Sequence, residues 1–325
     1  MKKLVSFFGE QTELFTELNK KTKEYACEKG IDYEWLPQKP YNVDEVIEAL
    51  NRADAGLIDV EPYGNPVFDR MNGRCCLLIR FGVGYDQVDL KAAAAHGIAV
   101  ARTTGANKTA VAEMALTQIL AARRQLMLNR KTVESGVWTK NIGNELIGGK
   151  VGILGFGSVG RTLAGLLKGF GCEILAYDKH QDEKTARELG IRWADMEEIF
   201  ETCDAVSVHL PYNESTHHCI DADMLGRMKR TAVIVCTARG NIIDEDALYE
   251  ALKNCRIAGA GLDVYAEEPL PKENRLTELD NIVLTPHVAS QTFESLWYVY
   301  KKAIDIMAGF FAGEELGPGD LLTPM

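Results

Sequence analysis

Three polar residues each follow an apolar run that reads as a β-strand. Arg239 comes after Val233-Ile234-Val235-Cys236-Thr237-Ala238, Glu268 after Leu262-Asp263-Val264-Tyr265-Ala266-Glu267, and His287 after Ile282-Val283-Leu284-Thr285-Pro286. Strand ends are where open α/β sheets bind ligands. Singly, each residue has an ordinary explanation: an ion-paired arginine, a solvated glutamate, a histidine with structural partners. Together they match what hydride reduction of a 2-oxo acid requires. A guanidinium orients a carboxylate and polarises the carbonyl with its planar fork. A histidine titrates near neutrality and can protonate the new alkoxide. A carboxylate against the second imidazole nitrogen fixes the ring and favours its protonated form.

A second constellation suits the hydride donor. Val151-Gly152-Ile153-Leu154-Gly155-Phe156-Gly157-Ser158-Val159-Gly160-Arg161 holds G-x-G-x-x-G between a strand and a helix. Gly155 permits the tight turn, Gly157 removes the side chain that would block a pyrophosphate, and Gly160 lets helix and strand pack closely. The helix N-terminus offers free N–H groups and partial positive charge to the phosphates. In a chain with 29 glycines the triplet alone arises easily, so its context decides. Asp178 ends the next strand, about 20 residues beyond the loop, where a carboxylate takes the adenosine ribose hydroxyls. The same charge repels the extra phosphate of NADP, so NAD is the expected cofactor. The competing reading is a solvated strand-end carboxylate, and Lys179 and His180 leave room for relaxed cofactor choice.

The elements that must position these residues alternate short apolar runs with longer amphipathic ones, the pattern of a parallel sheet with crossover helices. Strands are expected at Lys3–Phe8, Tyr33–Leu36, Gly56–Asp59, Cys75–Ile79 and Ile98–Ala101, with helices at Thr12–Lys29, Val43–Asn51 and Leu90–His96. A turn cluster at Thr104–Asn107 opens a long helix from about Thr109 to Leu126. A second unit begins at Lys150, with strands at Val151–Leu154, Glu173–Tyr177, Ala205–His209, Ala232–Cys236, Gly259–Val264 and Ile282–Leu284. The final helix, about Gln291–Ala312, is long enough to return to the first unit. The expected class is therefore α/β, two doubly wound parallel-sheet domains (Rossmann-like and flavodoxin-like) with the active site in the cleft between them. Residues 1–103 and 292–325 would form a discontinuous substrate domain and 104–291 the NAD-binding domain. The two units show no obvious internal copy.

Composition agrees. At 325 residues the chain suits two domains, each with its own core. A formal net charge of -11 argues against nucleic acid or an anionic membrane as main partner, while leaving room for a local cationic pocket. Eight cysteines lie in apolar segments with no C-x-x-C pair, which reads as reduced thiols of a cytoplasmic protein. No run approaches the roughly 18 apolar residues of a membrane span, and the apolar stretch after Met1-Lys2-Lys3 is too short for a signal peptide.

At the three polar residues the chain resembles the D-isomer-specific 2-hydroxyacid dehydrogenases, a family that includes phosphoglycerate dehydrogenases and glyoxylate or hydroxypyruvate reductases. The landmarks run in family order over nearly the whole chain: RFGVGYDQVD (80–89), TGANKTAVAEMAL (104–116), GILGFGSVG (152–160), HLPYNEST (209–216), TARGNIIDEDAL (237–248), GLDVYAEEP (261–269) and LTPHVAS (284–290). The resemblance implies that Arg239, Glu268 and His287 are catalytic, Glu268 being the acid that directly precedes the proline. It implies that Asp263 holds the nicotinamide carboxamide, that Ser158, Val159, Thr237 and Ala238 line the cofactor, and that the His209–Pro211 loop passes under the adenine ribose. The backbone of Phe81, Gly82, Val83 and Gly84, flanked by Arg80, would grip the substrate carboxylate with its N–H groups. The substrate would be a small 2-oxo or 2-hydroxy acid of the glyoxylate, hydroxypyruvate or 3-phosphohydroxypyruvate class, and the helix after Thr109 a homodimer arm. Cys236 stands where the family often has Asn, and Thr104 where it often has Pro.

Other features carry less. His217–His218 lacks cysteine or carboxylate ligands at metal-site spacing, so no metal is expected, and Cys75–Cys76 reads as core. Lys108 and Arg80 flank the expected substrate mouth, where they would favour a second anionic group; surface solvation is the plainer reading of Lys108. One rival belongs to another class: RFGVGYDQVD also resembles the C-terminal-binding-protein corepressors, in which NADH would promote dimerisation and peptide capture. The complete Arg–Glu–His set favours an enzyme.

Overall fold

The computed structural model describes residues 1–38 and 40–323, and the chain divides into two compact units, Met1–Asn107 with Thr292–Met325, and Lys108–Gln291. In the first, strands β1 (Lys2–Ser6), β2 (Ile31–Trp35), β3 (Ala55–Ile58), β4 (Leu77–Arg80) and β5 (Ala99–Arg102) alternate with helices α1 (Glu13–Glu28), α2 (Val43–Asn51), α3 (Asn65–Phe68) and α4 (Leu90–Ala95). Helices α1, α2 and α4 start where a side chain meets free N–H groups: Thr12 accepts from Phe15, Asn42 from Asp44 and Glu45, Asp89 from Lys91 and Ala92. Cys75 and Cys76 precede β4 instead of opening it.

The second unit begins with α5 (Lys108–Arg123) and α6 (Leu126–Glu134). These replace the single helix expected to Leu126. The Arg123 carbonyl accepts from Asn144 N–H at 2.8 Å, so the helical ladder stops there, and Gln125 turns the chain at φ 50°. There follow β6 (Lys150–Leu154), α7 (Ser158–Leu167), β7 (Glu173–Tyr177), α8 (Glu183–Leu189), β8 (Ile191–Trp193), α9 (Met196–Thr202), β9 (Ala205–Val208), α10 (Ala222–Arg227), β10 (Val233–Cys236), α11 (Glu245–Lys253), β11 (Gly259–Leu262) and β12 (Ile282–Leu284). The edge strand β8, Ile191-Arg192-Trp193, is too short to announce itself in the sequence. The last helix, α12 (Phe293–Ala312), is capped by Thr292 and belongs to the first unit.

The named strands of both sheets pair only in parallel, and β5 adds one antiparallel bridge from Ala101 to Leu321. The first has the order β2-β1-β3-β4-β5 and the second β12-β11-β10-β9-β6-β7-β8. Each reverses direction beside its first strand, the switch point at which doubly wound sheets open a crevice. Successive strand residues feed opposite faces, and both faces are covered. In the first unit Leu4, Leu57, Leu77 and Ile79 pack with α1 and α12, while Val5, Ile58, Leu78 and Val100 pack with α2 to α4. In the second, Leu154, Val206, Ile234 and Leu262 pack against α9 to α11, and Val151, Ile153, Val233 and Val235 against α5 and α7. Truncating one of these fully buried leucines or isoleucines to alanine costs about 2–5 kcal/mol.

The two units share a device that their sequences do not display as a repeat. Asp54, just before β3, accepts from the Lys3 N–H at 2.7 Å and donates its own N–H to the Lys3 carbonyl at 2.9 Å. Asp204, just before β9, does the same with Lys150, at 2.8 Å in both directions. Each aspartate thus ties the strand beyond the switch point to the first strand of its sheet. Burial raises both carboxyls, but those N–H groups and neighbouring cations outweigh it and hold both below the usual carboxylate value.

Candidate active site

The glycine loop joins β6 to α7, and its three glycines do different work. A Cβ on Gly155 would lie 2.5 Å from the His209 carbonyl oxygen, and φ there is +91°. A Cβ on Gly160 would lie 2.3 Å from the Gly155 oxygen. Around the Cβ position of Gly157 there is nothing within 4 Å. The first two permit close packing, and the third leaves a cradle open. No side chain caps the start of α7, so its first N–H groups remain available to an anion. Asp178 steadies the loop, accepting from Phe156 N–H at 2.7 Å and His180 N–H at 2.9 Å. Arg161 ties the Phe156 carbonyl to Asp182 and Thr185. The Thr237 hydroxyl is buried without a partner beyond β10. An open cradle, an uncapped helix start, a strand-end carboxylate and an orphaned hydroxyl fit a dinucleotide. His209 turns its ring to Ser207, 2.8 Å away, and burial lowers its pKa to about 4, so it is neutral.

Arg239, Glu268 and His287 come from three neighbouring strands whose ends align: Cys236 pairs with Leu262, and Leu262 with Leu284. Gly240 packs the Arg239 turn onto the Glu268 loop, since a Cβ there would sit 1.9 Å from the Tyr265 carbonyl carbon. Glu268 Oε2 lies 2.7 Å from His287 Nδ1, and Oε1 accepts from Tyr265 N–H at 3.0 Å. Burial pushes the Glu268 carboxyl up, yet the His287 bond, the Tyr265 N–H and the charges of His287 and Arg239 hold it below the usual glutamate value. Both side chains keep partial access to solvent, 36% for Glu268 and 45% for His287, so a ligand can reach the ring. The Arg239 guanidinium donates to the Ala238 carbonyl at 2.7 Å. A carboxylate, an imidazole and a guanidinium therefore follow the carboxyl ends of three adjacent strands.

The support around them was not visible in the sequence. Asp263 is fully buried, and Oδ1 accepts from Thr285 Oγ1 at 2.6 Å and Val288 N–H at 2.9 Å, Oδ2 from Ala289 N–H at 2.8 Å. It thus clasps both sides of His287, whose φ of +52° is rare outside glycine. The Tyr265 hydroxyl donates towards the Thr285 carbonyl at 2.9 Å. These contacts join residues about 20 positions apart along the chain, and no local pattern encodes them. Cys236 is buried, which raises its thiol to about 11, and its Sγ meets the Arg239 carbonyl at 3.5 Å.

In the first unit Phe81–Gly84 follows β4 as a turn. Gly82, at φ +113°, donates to Thr103 Oγ1 at 2.8 Å, which leaves the Val83 and Gly84 N–H groups with no acceptor among the described residues. Phe81 stacks on Phe8 with centroids 3.5 Å apart. Arg80 is buried and turned inward, donating to the Phe81 carbonyl at 2.5 Å with Asp59 at 3.5 Å. Lys108 is exposed. His217 and His218 stack on each other, and among the described residues no His, Cys, Asp or Glu cluster could hold a metal. Among the described residues no helix is long and apolar enough to cross a membrane.

Comparison with known proteins agrees with this geometry. The sequence model of the D-isomer specific 2-hydroxyacid dehydrogenase NAD binding domain matches residues 116–289. A glyoxylate reductase of Korarchaeum cryptofilum is 36% identical over 288 residues, covering 86% of each chain. A hydroxypyruvate reductase of Thermotoga maritima is 38% identical over 223 residues, covering 67% of this chain and 72% of its own. The solved structure of a D-2-hydroxyisocaproate dehydrogenase superposes with a TM-score of 0.86 at 25% identity over 100% of both chains.

Proposed function

The chain belongs to the D-isomer specific 2-hydroxyacid dehydrogenase family and is a NAD-dependent oxidoreductase; we propose that it reduces a small 2-oxo acid of the glyoxylate or hydroxypyruvate class, with Arg239, Glu268 and His287 as catalytic residues. The observation that carries this reading is the 2.7 Å contact between Glu268 and His287. It leaves Nε2 of the imidazole as the nitrogen for the substrate. Arg239 binds the substrate carboxylate and polarises the ketone oxygen. His287 gives that oxygen a proton, and Glu268 fixes the ring and favours its charged form. Bound at the glycine loop, NADH supplies the hydride. Gly155, Gly157 and Gly160 with Ser158 and Val159 would hold its pyrophosphate, Asp178 and the His209–Pro211 loop its adenosine half, and Thr237, Ala238 and Asp263 its nicotinamide half.

An unphosphorylated substrate is favoured by the names of the relatives above, a glyoxylate reductase and a hydroxypyruvate reductase. The test is NADH consumption with glyoxylate, hydroxypyruvate, pyruvate, 2-oxoglutarate and 3-phosphohydroxypyruvate, with Arg239→Ala as control. Turnover that the substitution abolishes supports the assignment, and no turnover with any acid despite saturable NADH binding sinks it.

The protein is also proposed to be a homodimer. Leu126, Val133, Val137, Trp138, Ile142 and Ile147 are all more than half exposed, Trp138 at 82% and Ile142 at 88%. A second copy packed against this segment would cover apolar side chains that otherwise stand in water. All eight cysteines are unpaired, which fits a reducing cytoplasm.

A further inference from the structure

Gln118 is a polar residue in an apolar place. It lies on α5 among Ala112, Ala115, Ile119 and Ala122, and it is 0% exposed. Its amide Nε2 donates to Thr285 Oγ1 at 3.1 Å, while Oε1 is buried with no partner. A leucine of the same size would avoid the cost of that orphan oxygen. β11 makes room for the side chain, because a Cβ on Gly261 would lie 2.8 Å from Gln118 Cβ.

The hydrogen bond has a direction that matters. A threonine hydroxyl has one proton, so accepting from Gln118 turns that proton towards an acceptor. The near acceptor is Asp263 Oδ1 at 2.6 Å, and the Leu262 carbonyl lies farther away at 3.4 Å. Asp263 in turn holds the N–H groups of Val288 and Ala289. His287 sits between these anchors in a left-handed conformation that needs its surroundings to hold it.

We propose that Gln118 is a positioning residue, acting through Thr285 and Asp263 to hold the loop that aims the His287 imidazole. The proposal rests on His287 being the proton donor. It is tested in the full-length protein with Gln118→Leu, and with Gln118→Met should the branched side chain prevent folding. The expected result is a fall of about tenfold in kcat for 2-oxo acid reduction, since small misplacements of reacting groups are costly. Amide exchange at Val288 and Ala289, read without cofactor, should accelerate. Thr285→Val should reproduce the loss and Thr285→Ser should restore most of it. The Gln118→Leu/Thr285→Val double variant should fall no further than Thr285→Val, because both break one chain. Unchanged kcat in Gln118→Leu, or losses that multiply in the double variant, overturns the proposal. Lowered melting temperature with kcat intact also overturns it, as that is what a packing role predicts. His287→Ala separates the two readings: if it remains active, the proton-donor assignment fails, whereas exchange at Val288 and Ala289 still reports on the chain from Gln118.

Discussion

Glu268 holds His287 Nδ1 with one oxygen, at 2.7 Å, and is itself held by the Tyr265 N–H on the other, at 3.0 Å. The carboxylate is therefore fixed before it fixes the ring, and its folded-state pKa lies below the ordinary 4.5. A depressed carboxyl contributes fully above its unfolded value and is lost as pH falls through the folded one. Activity limited by this group should hold down through pH 4.5 and drop only below it. Glu268→Gln keeps an acceptor for Tyr265 but carries no charge, and should lower kcat/KM roughly 10²-fold. A pH series of initial rates for both proteins checks this. A wild-type acid limb centred well above 4.5 would assign the limb to another group.

The glycines of the cofactor loop make a prediction with two opposite arms. Gly157→Ala meets nothing within 4 Å, and φ at this position is -75°, which alanine adopts readily. It should leave the melting temperature within a degree or two and weaken NADH binding at least about tenfold, by filling the pyrophosphate cradle. Gly160→Ala puts a methyl 2.3 Å from the Gly155 oxygen. It should destabilise the fold by about 1–3 kcal/mol through forced shifts of strand and helix. Calorimetric melting beside fluorescence titration with NADH distinguishes the arms. Equal NADH affinity in Gly157→Ala and wild type would remove the loop from the binding site.

How much of this was legible in the sequence follows from the range of each interaction. Strands in a doubly wound sheet are continuous apolar runs, so nearly all of them could be placed from composition, and Gly157 and Asp178 from spacing. The break at Gln125 could not be placed, because it depends on Asn144 docking onto the Arg123 carbonyl. Residue types at strand ends brought out Arg239, Glu268 and His287. The clasp of Asp263 on residues 285–289, and the reach of Gln118 to Thr285, join positions far apart in sequence and carry no local periodicity. The inward turn of Arg80 onto Asp59 and Phe81 likewise depends on side-chain direction, which a strand-end pattern leaves undetermined.

The exposed apolar side chains of α6 and the segment after it predict an oligomer that a single charge can weaken. Trp138→Glu, or Ile142→Glu, places a carboxylate where the second copy would sit, and central interface residues carry about 2 kcal/mol or more each. Light scattering across a dilution series should show the dimer dissociating at a concentration roughly 30-fold higher, with each protomer still folded. A wild-type protein that is monomeric at micromolar concentration would leave these side chains for a different occupant.

Asp54 and Asp204 should make both units acid-sensitive by the same route. Each folded-state carboxyl lies below its ordinary value of 3.8. Their stabilisation is therefore complete above that value and disappears as pH falls through the folded values. Asp204→Asn keeps one acceptor but loses the charge that faces Lys229 at 2.9 Å and draws the Lys150 N–H at 2.8 Å. It should cost about 1–3 kcal/mol at neutral pH, the range for a hydrogen bond to a charged group. The gap from wild type should close below pH 3.8, because there the native aspartate is being neutralised as well. Urea unfolding of both proteins at neutral and acidic pH measures that gap. A constant difference at every pH would mean that asparagine only disturbs packing, and equal stability at neutral pH would mean that the tie across the switch point adds nothing to the fold.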